Sequence, residues 1–106
     1  MRQFEAPALR AWLEAQAGPV TLLDVREPWE VALCRLEGSV NIPMGQIPGR
    51  LAELDPARPT VVICHHGMRS LQAGAFLERQ GFADVVNLRG GIDGWARSVD
   101  PDMAVY

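Results

Sequence analysis

The sequence predicts an α/β domain with a mostly parallel central sheet, and three observations carry that expectation. Short apolar runs rich in β-branched residues alternate along the chain with segments of helical spacing. Glycine and proline punctuate nearly every junction between them. The length of 106 residues suffices for one hydrophobic core and leaves no room for a second, so residues 1–106 are expected to form a single domain.

The elements follow in order. Pro7 can open a helix on which Leu9, Trp12, Leu13 and Gln16 recur at helical spacing, with Gly18-Pro19 as its stop. Val20 to Val25 (VTLLDV) is a buried strand. Pro28 suits the first turn of a short helix over Trp29 to Leu33. Val40 to Ile42 is extended, because Pro43 disfavours helix at the residue before it. Ile47, Leu51 and Leu54 mark another short helix, ended by Asp55-Pro56. Thr60 to Ile63 (TVVI) is the clearest strand, and it runs directly into Cys64. Beyond Gly67, Ser70 to Gln80 reads as a helix with Leu71, Ala75, Phe76 and Leu77 inward and Gly81 as its stop. Val85-Val86 is a strand, and Gly90-Gly91 leads into a last short helix at Gly94-Trp95. The tail SVDPDMAVY is expected to pack as irregular coil, and Trp12, Trp29 and Trp95 as core or edge.

Composition narrows the function. A net charge of −3 argues against nucleic acid as a partner, which demands a concentrated basic face. All ten basic residues are arginine, so Schiff-base chemistry and a lysine-dependent phosphate loop are excluded. Two cysteines are too few for a disulfide framework. No run approaches the ~20 apolar residues of a membrane span, and the N-terminal segment lacks the pattern of a signal peptide. A reducing, cytoplasmic setting is therefore expected. Cys64, His65 and His66 invite a metal reading, but adjacent residues chelate poorly and Cys34 adds no zinc-like spacing, so no metal is expected.

In parallel sheets ligands bind beyond the carboxyl ends of the strands, which directs attention to Cys64. The segment VVICHHGMRSLQAG places a cysteine at a strand end, then a tight loop, then a helix. If the loop curls over the sulfur, its backbone N–H groups form an anion-binding nest, and the helix end adds about 0.3–2 kcal/mol. The thiolate is the nucleophile in sulfur chemistry, and such a site would stabilise it. Arg69, His65 and His66 are candidate cations, and Gly67 permits the positive φ of a closed loop. Met68 would give the site an apolar lip. The competing reading of Cys64 is a buried small hydrophobe.

Four segments in order resemble the rhodanese homology domain: LLDVREPWEV (Leu22 to Val31), LEGSVNIP (Leu36 to Pro43), VVICHHGMRS (Val61 to Ser70) and GFADVVNLRGGIDGW (Gly81 to Trp95). The resemblance implies a sheet of about five strands flanked by helices, and no cofactor. It implies ping-pong sulfur transfer, in which Cys64 takes sulfane sulfur from a donor as a persulfide and passes it to a thiophilic acceptor. The donor would be a small anion such as thiosulfate, or a protein persulfide; the acceptor would be cyanide or a thiol. The loop from Cys64 through His65, His66, Gly67 and Met68 to Arg69, followed by Ser70, matches the family's substrate loop. Asp24 and Arg26 match its D-x-R signature, with Asp24 expected to tie loops together and Arg26 or Arg35 available to attract an anionic donor, solvated surface charge being the competing and preferred reading of Arg35. Arg69 would either attract that donor or brace the loop against Asp24 or Glu27. Two departures stand out: Arg35 where many members carry His, and Cys34 where they carry Gly. Cysteine-dependent phosphatases and arsenate reductases of the same fold have a longer C-x5-R loop against the C-x4-R seen here. Silent binding modules of the family usually lack the cysteine, which this chain retains.

Overall fold

A computed structural model describes all 106 residues. Its frame is one five-stranded sheet, in which every pairing is parallel. The elements run β1 (Arg2–Phe4), α1 (Ala6–Glu14), β2 (Thr21–Asp24), α2 (Pro28–Leu33), β3 (Val40–Asn41), α3 (Ile47–Arg50), β4 (Thr60–Ile63), α4 (Met68–Arg79), β5 (Val85–Leu88) and α5 (Gly91–Ser98). Single 3₁₀ turns at Met44–Gln46 and Leu51–Glu53 flank α3. Across the sheet the order is β1-β5-β4-β2-β3.

The central strands are apolar because both sheet faces are covered. Every residue of β4 and β5 is buried. Alternation along the strands divides the core in two. Leu23, Val62 and Cys64 pack with Ala73 and Leu77 of α4 and Ile47 of α3. Val61, Ile63, Val86 and Leu88 pack on the other face with Leu9 of α1 and Ile92 of α5. The register sets β2, β4 and β5 side by side, Leu23 opposite Val62 and Val62 opposite Asn87, so their carboxyl ends converge where Cys64 begins. No helix is long and apolar enough to cross a membrane.

Several expectations need correction. The edge strand β1 is not expected from the sequence, and β5 is longer than the expected Val85-Val86, reaching Leu88. Helix α4 starts two residues early, at Met68, and its buried stripe is Ser70, Ala73, Gly74 and Leu77. Leu71, Ala75 and Phe76 are only half-buried. Ser70 is drawn into the buried stripe by its hydrogen bond to Asn87 of β5, which rotates the inward face away from Leu71 and Ala75. Trp29 is 64 % exposed rather than core, touching Tyr106 edge-on. The tail is irregular, as expected, and Val99, Met103 and Tyr106 pack on the second core face.

Candidate active site

The period-2 alternation of β4 turns Cys64 toward α4, on the same side as Val62. The residue is 1 % exposed. Gly67, with φ +100°, lets the loop fold back so that its N–H donates to Cys64 Sγ at 3.0 Å. A side chain there would also press on the Gly90 backbone, 3.0 Å from where a Cβ would sit.

What turns the loop amides inward is the fate of its carbonyls. The N–H groups of Ile92 and Asp93, in the first turn of α5, donate to the carbonyls of Cys64 (2.8 Å) and His65 (3.1 Å). Free N–H groups at a helix start need acceptors, and the loop supplies them. Gly91 makes this approach possible, since a Cβ there would fall on the His65 carbonyl and within 2.6 Å of the Cys64 oxygen. With the carbonyls held outward, the amides of His65, His66, Met68, Arg69 and Ser70 donate to no carbonyl, and Leu71 makes the first return bond of α4, to Gly67. Only the Gly67 amide reaches the sulfur itself; the other five are left without a carbonyl acceptor, which is what an anion-binding nest requires.

Arg69 is braced, and its acid is neither Asp24 nor Glu27. Its Nη1 and Nη2 donate to Glu30 Oε1 (2.7 Å) and Oε2 (2.8 Å), a bidentate pair. Glu30, buried on α2, is held at about 2 chiefly by the Arg69 hydrogen bond, with Tyr106 and the Glu27 amide adding to it against the cost of burial. The same pair raises Arg69 further above its ordinary value. Glu27 remains exposed and contributes its N–H to Glu30 Oε1 at 3.1 Å.

Arg26 does not face a donor either. Its side chain is completely buried and doubly bonded to Asp24, with Nη2–Oδ2 at 2.7 Å. It also donates to the carbonyls of Glu30 (3.3 Å) and Cys34 (2.7 Å) and to the Tyr106 hydroxyl (2.9 Å). Asp24 thus ties loops together through Arg26. Asn41 completes the knot by donating to the carbonyls of Asp24 and Arg26. Arg35 is exposed, and it borders a surface cleft with Pro28 and Cys34 rather than the sulfur loop. Cys34 is half-buried and lies 3.9 Å from Arg26 Nη1.

The histidines divide. His65 stacks on Tyr106 at 3.8 Å and 5°, and its burial lowers its pKa, which disfavours the imidazolium. His66 is exposed and leans on His65. Met68 is 67 % exposed, beside Arg69 at the mouth of the loop.

Four contributors escaped the sequence reading: Glu30, Asn41, Tyr106 and Asn87. Tyr106 donates to Glu30 Oε2 at 2.7 Å, and burial pushes its phenol up to about 12. Glu30 lies 39 residues from Arg69, so nothing local announces the pair. Asn87 did leave a signal: an amide inside the buried run VVNL must be hydrogen-bonded. It accepts from Ser70 Oγ, whose oxygen lies 3.3 Å from Cys64 Sγ.

The sequence matches the rhodanese-like domain family over residues 6–98. It is 42% identical over 90 residues to a sulfurtransferase of Allochromatium vinosum, covering 85% of this chain and 84% of that one. It is 37% identical to the putative sulfurtransferase YtwF of Bacillus subtilis, covering 95% and 96%. The crystal structure of a rhodanese-related protein from Thermoplasma volcanium superposes with a TM-score of 0.83 at 33% identity, covering 93% and 94%. A parallel sheet that delivers a cysteine into a loop clamped by the next two helices, together with these matches, places the chain in the rhodanese-like domain family.

Proposed function

We propose that this chain is a sulfurtransferase that carries sulfane sulfur as a persulfide on Cys64. The observation that carries this reading is the Gly67 N–H on Cys64 Sγ at the floor of a loop whose other amides have no carbonyl partner. An outer sulfur bearing negative charge suits such a ring. With thiosulfate, the Cys64 thiolate attacks the sulfane sulfur. A new S–S bond forms, the old one breaks, and its electron pair leaves on sulfite. An acceptor such as cyanide or a thiol then attacks the outer sulfur, and the bonding pair returns to Cys64. Small anionic donors and protein persulfides both fit an amide-lined mouth, and the sulfurtransferase names of the two relatives support the same chemistry.

Mass spectrometry of the intact protein after incubation with thiosulfate tests the reading. One added sulfur atom is expected, mapping to Cys64 and absent from a folded Cys64→Ser variant. Mapping to Cys34, or no adduct with thiosulfate or any persulfide donor, overturns it.

A further inference from the structure

Asn87 sits in the middle of β5, 1 % exposed, and its amide makes three bonds. Its Oδ1 lies 2.5 Å from Ser70 Oγ, and its Nδ2 faces the Gly67 carbonyl at 3.3 Å and Gln3 Oε1 at 3.2 Å. Rotating the amide by a half-turn would set Oδ1 against the Gly67 carbonyl, two acceptors with no proton between them. The backbone carbonyl therefore fixes which end of Asn87 meets Ser70. Ser70, wholly buried, has one hydroxyl proton and two oxygens or sulfurs competing for it: Asn87 Oδ1 and Cys64 Sγ, 3.3 Å away. With that proton on Asn87, Ser70 can only accept from the sulfur, an arrangement that suits an S–H. An anionic sulfur needs the proton turned toward it.

We propose that Asn87 is a positioning residue that sets the reactivity of Cys64 through Ser70, by competing with the sulfur for the Ser70 hydroxyl proton. This rests on the reading of Cys64 as the reactive thiol. While Cys64 is a thiol, Ser70 accepts its S–H and donates to Asn87. When the sulfur becomes an anion, the Ser70 hydroxyl turns to it and Asn87 loses its donor. Asn87 therefore restrains the anion, and the Gly67 amide favours it. Ser70 thus changes partner, from Asn87 to the sulfur, only when the anion forms.

The test is the pH profile of Cys64 alkylation by iodoacetamide, followed by mass spectrometry so that Cys34 is counted separately. Titratable and charged groups around the loop are Arg69 on α4, Glu30 on α2, Asp93 on α5, His65 and His66 in the loop, and Tyr106 of the tail, with the Asp24–Arg26 pair at the end of β2. All of them are common to every variant compared. Asn87→Leu keeps the volume without the acceptor, and Asn87→Ala is the smaller second choice. Either should move the alkylation profile to lower pH by about one unit, about tenfold in rate below the midpoint. In a Ser70→Ala background the same Asn87 substitution should move nothing, since its path to the sulfur is gone. An equal shift in both backgrounds would show that Asn87 only braces Gly67, and a shift to higher pH or none in the native background would also overturn the proposal. Alkylation reads the thiol directly, so it decides this point whether or not sulfur is transferred.

Discussion

Arg69 joins the far end of the Cys64 loop to α2, donating from both Nη1 and Nη2 to the Glu30 carboxylate. The sequence offers it as either a donor-attracting cation or a brace, and the bidentate pair with buried Glu30 makes it a brace. Glu30 is 5% exposed at its side chain and Arg69 37%, so the charge left behind by Arg69→Ala is the costly, buried one. Solvent on the arginine side tempers the loss to about 1–3 kcal/mol. A thermal melt should fall by about 4–8 °C for each of those, and sulfur transfer should weaken alike for thiosulfate and for a neutral persulfide donor. A rise in KM confined to thiosulfate would instead mark Arg69 as the donor's anchor. The same pair gives stability a pH dependence. Glu30 titrates at about 2 in the folded protein against 4.5 ordinarily, so its contribution is complete above 4.5 and is lost as pH falls toward 2. Glu30→Gln should melt lower at neutral pH and lose less on acidification through that window. Parallel melting curves for the two proteins would refute the linkage.

At the scale of elements, legibility follows what is local. The strand TVVI and its junction with Cys64 were readable because a β-branched run buried on both faces needs no partner to be recognised. The three-residue β1 was not, because RQF is too short and too exposed to show alternation and exists only by pairing with β5. Polar residues in the first turn of α4 hid its start and face, since their burial depends on β5 and α2. Helix α5 is where an element most directly shapes the site, and its glycines separate two effects. Gly91 touches the loop carbonyls at φ +64°, so Gly91→Ala must push helix and loop apart. A loss of about 2 kcal/mol or more is expected, together with weaker sulfur labelling of Cys64. Gly94 has open space around its Cβ position and ordinary helical φ, so Gly94→Ala should be neutral or stabilise by up to about 1 kcal/mol. Melts and labelling of the two variants side by side check both expectations, and equal behaviour would mean that the α5–loop contact does not shape the site.

For the molecule as a whole, the sheet order β1-β5-β4-β2-β3 lay beyond local pattern, and the family segments implied the number of strands but not their order. Its consequence is that the Cys64 loop is fixed from several directions at once. β4 sets its start, α4 its end, α5 holds its carbonyls, and α2 holds Arg69 through Glu30. A loop so fixed has one length that closes the Gly67 amide onto the sulfur, and that argues for specificity by loop length. On the proposed function, the C-x4-R spacing from Cys64 to Arg69 suits a single sulfur atom, where the C-x5-R loop of phosphatases of this fold would make room for a tetrahedral oxyanion. Aryl phosphates should therefore not be turned over by the native protein. Inserting one glycine between His66 and Gly67 cannot be absorbed while both ends are held, so the Gly67 N–H must leave the sulfur. Losing a hydrogen bond to an anionic sulfur costs about 1.5–3 kcal/mol, which predicts sulfur loading slower by about tenfold to 150-fold. The enlarged ring should in return bind phosphate or arsenate more tightly than the native one. Loading kinetics with thiosulfate and phosphate binding, measured on both proteins, decide the matter. Unimpaired loading in the insertion variant, or phosphatase turnover by the native chain, would show that loop length does not set what this fold accepts.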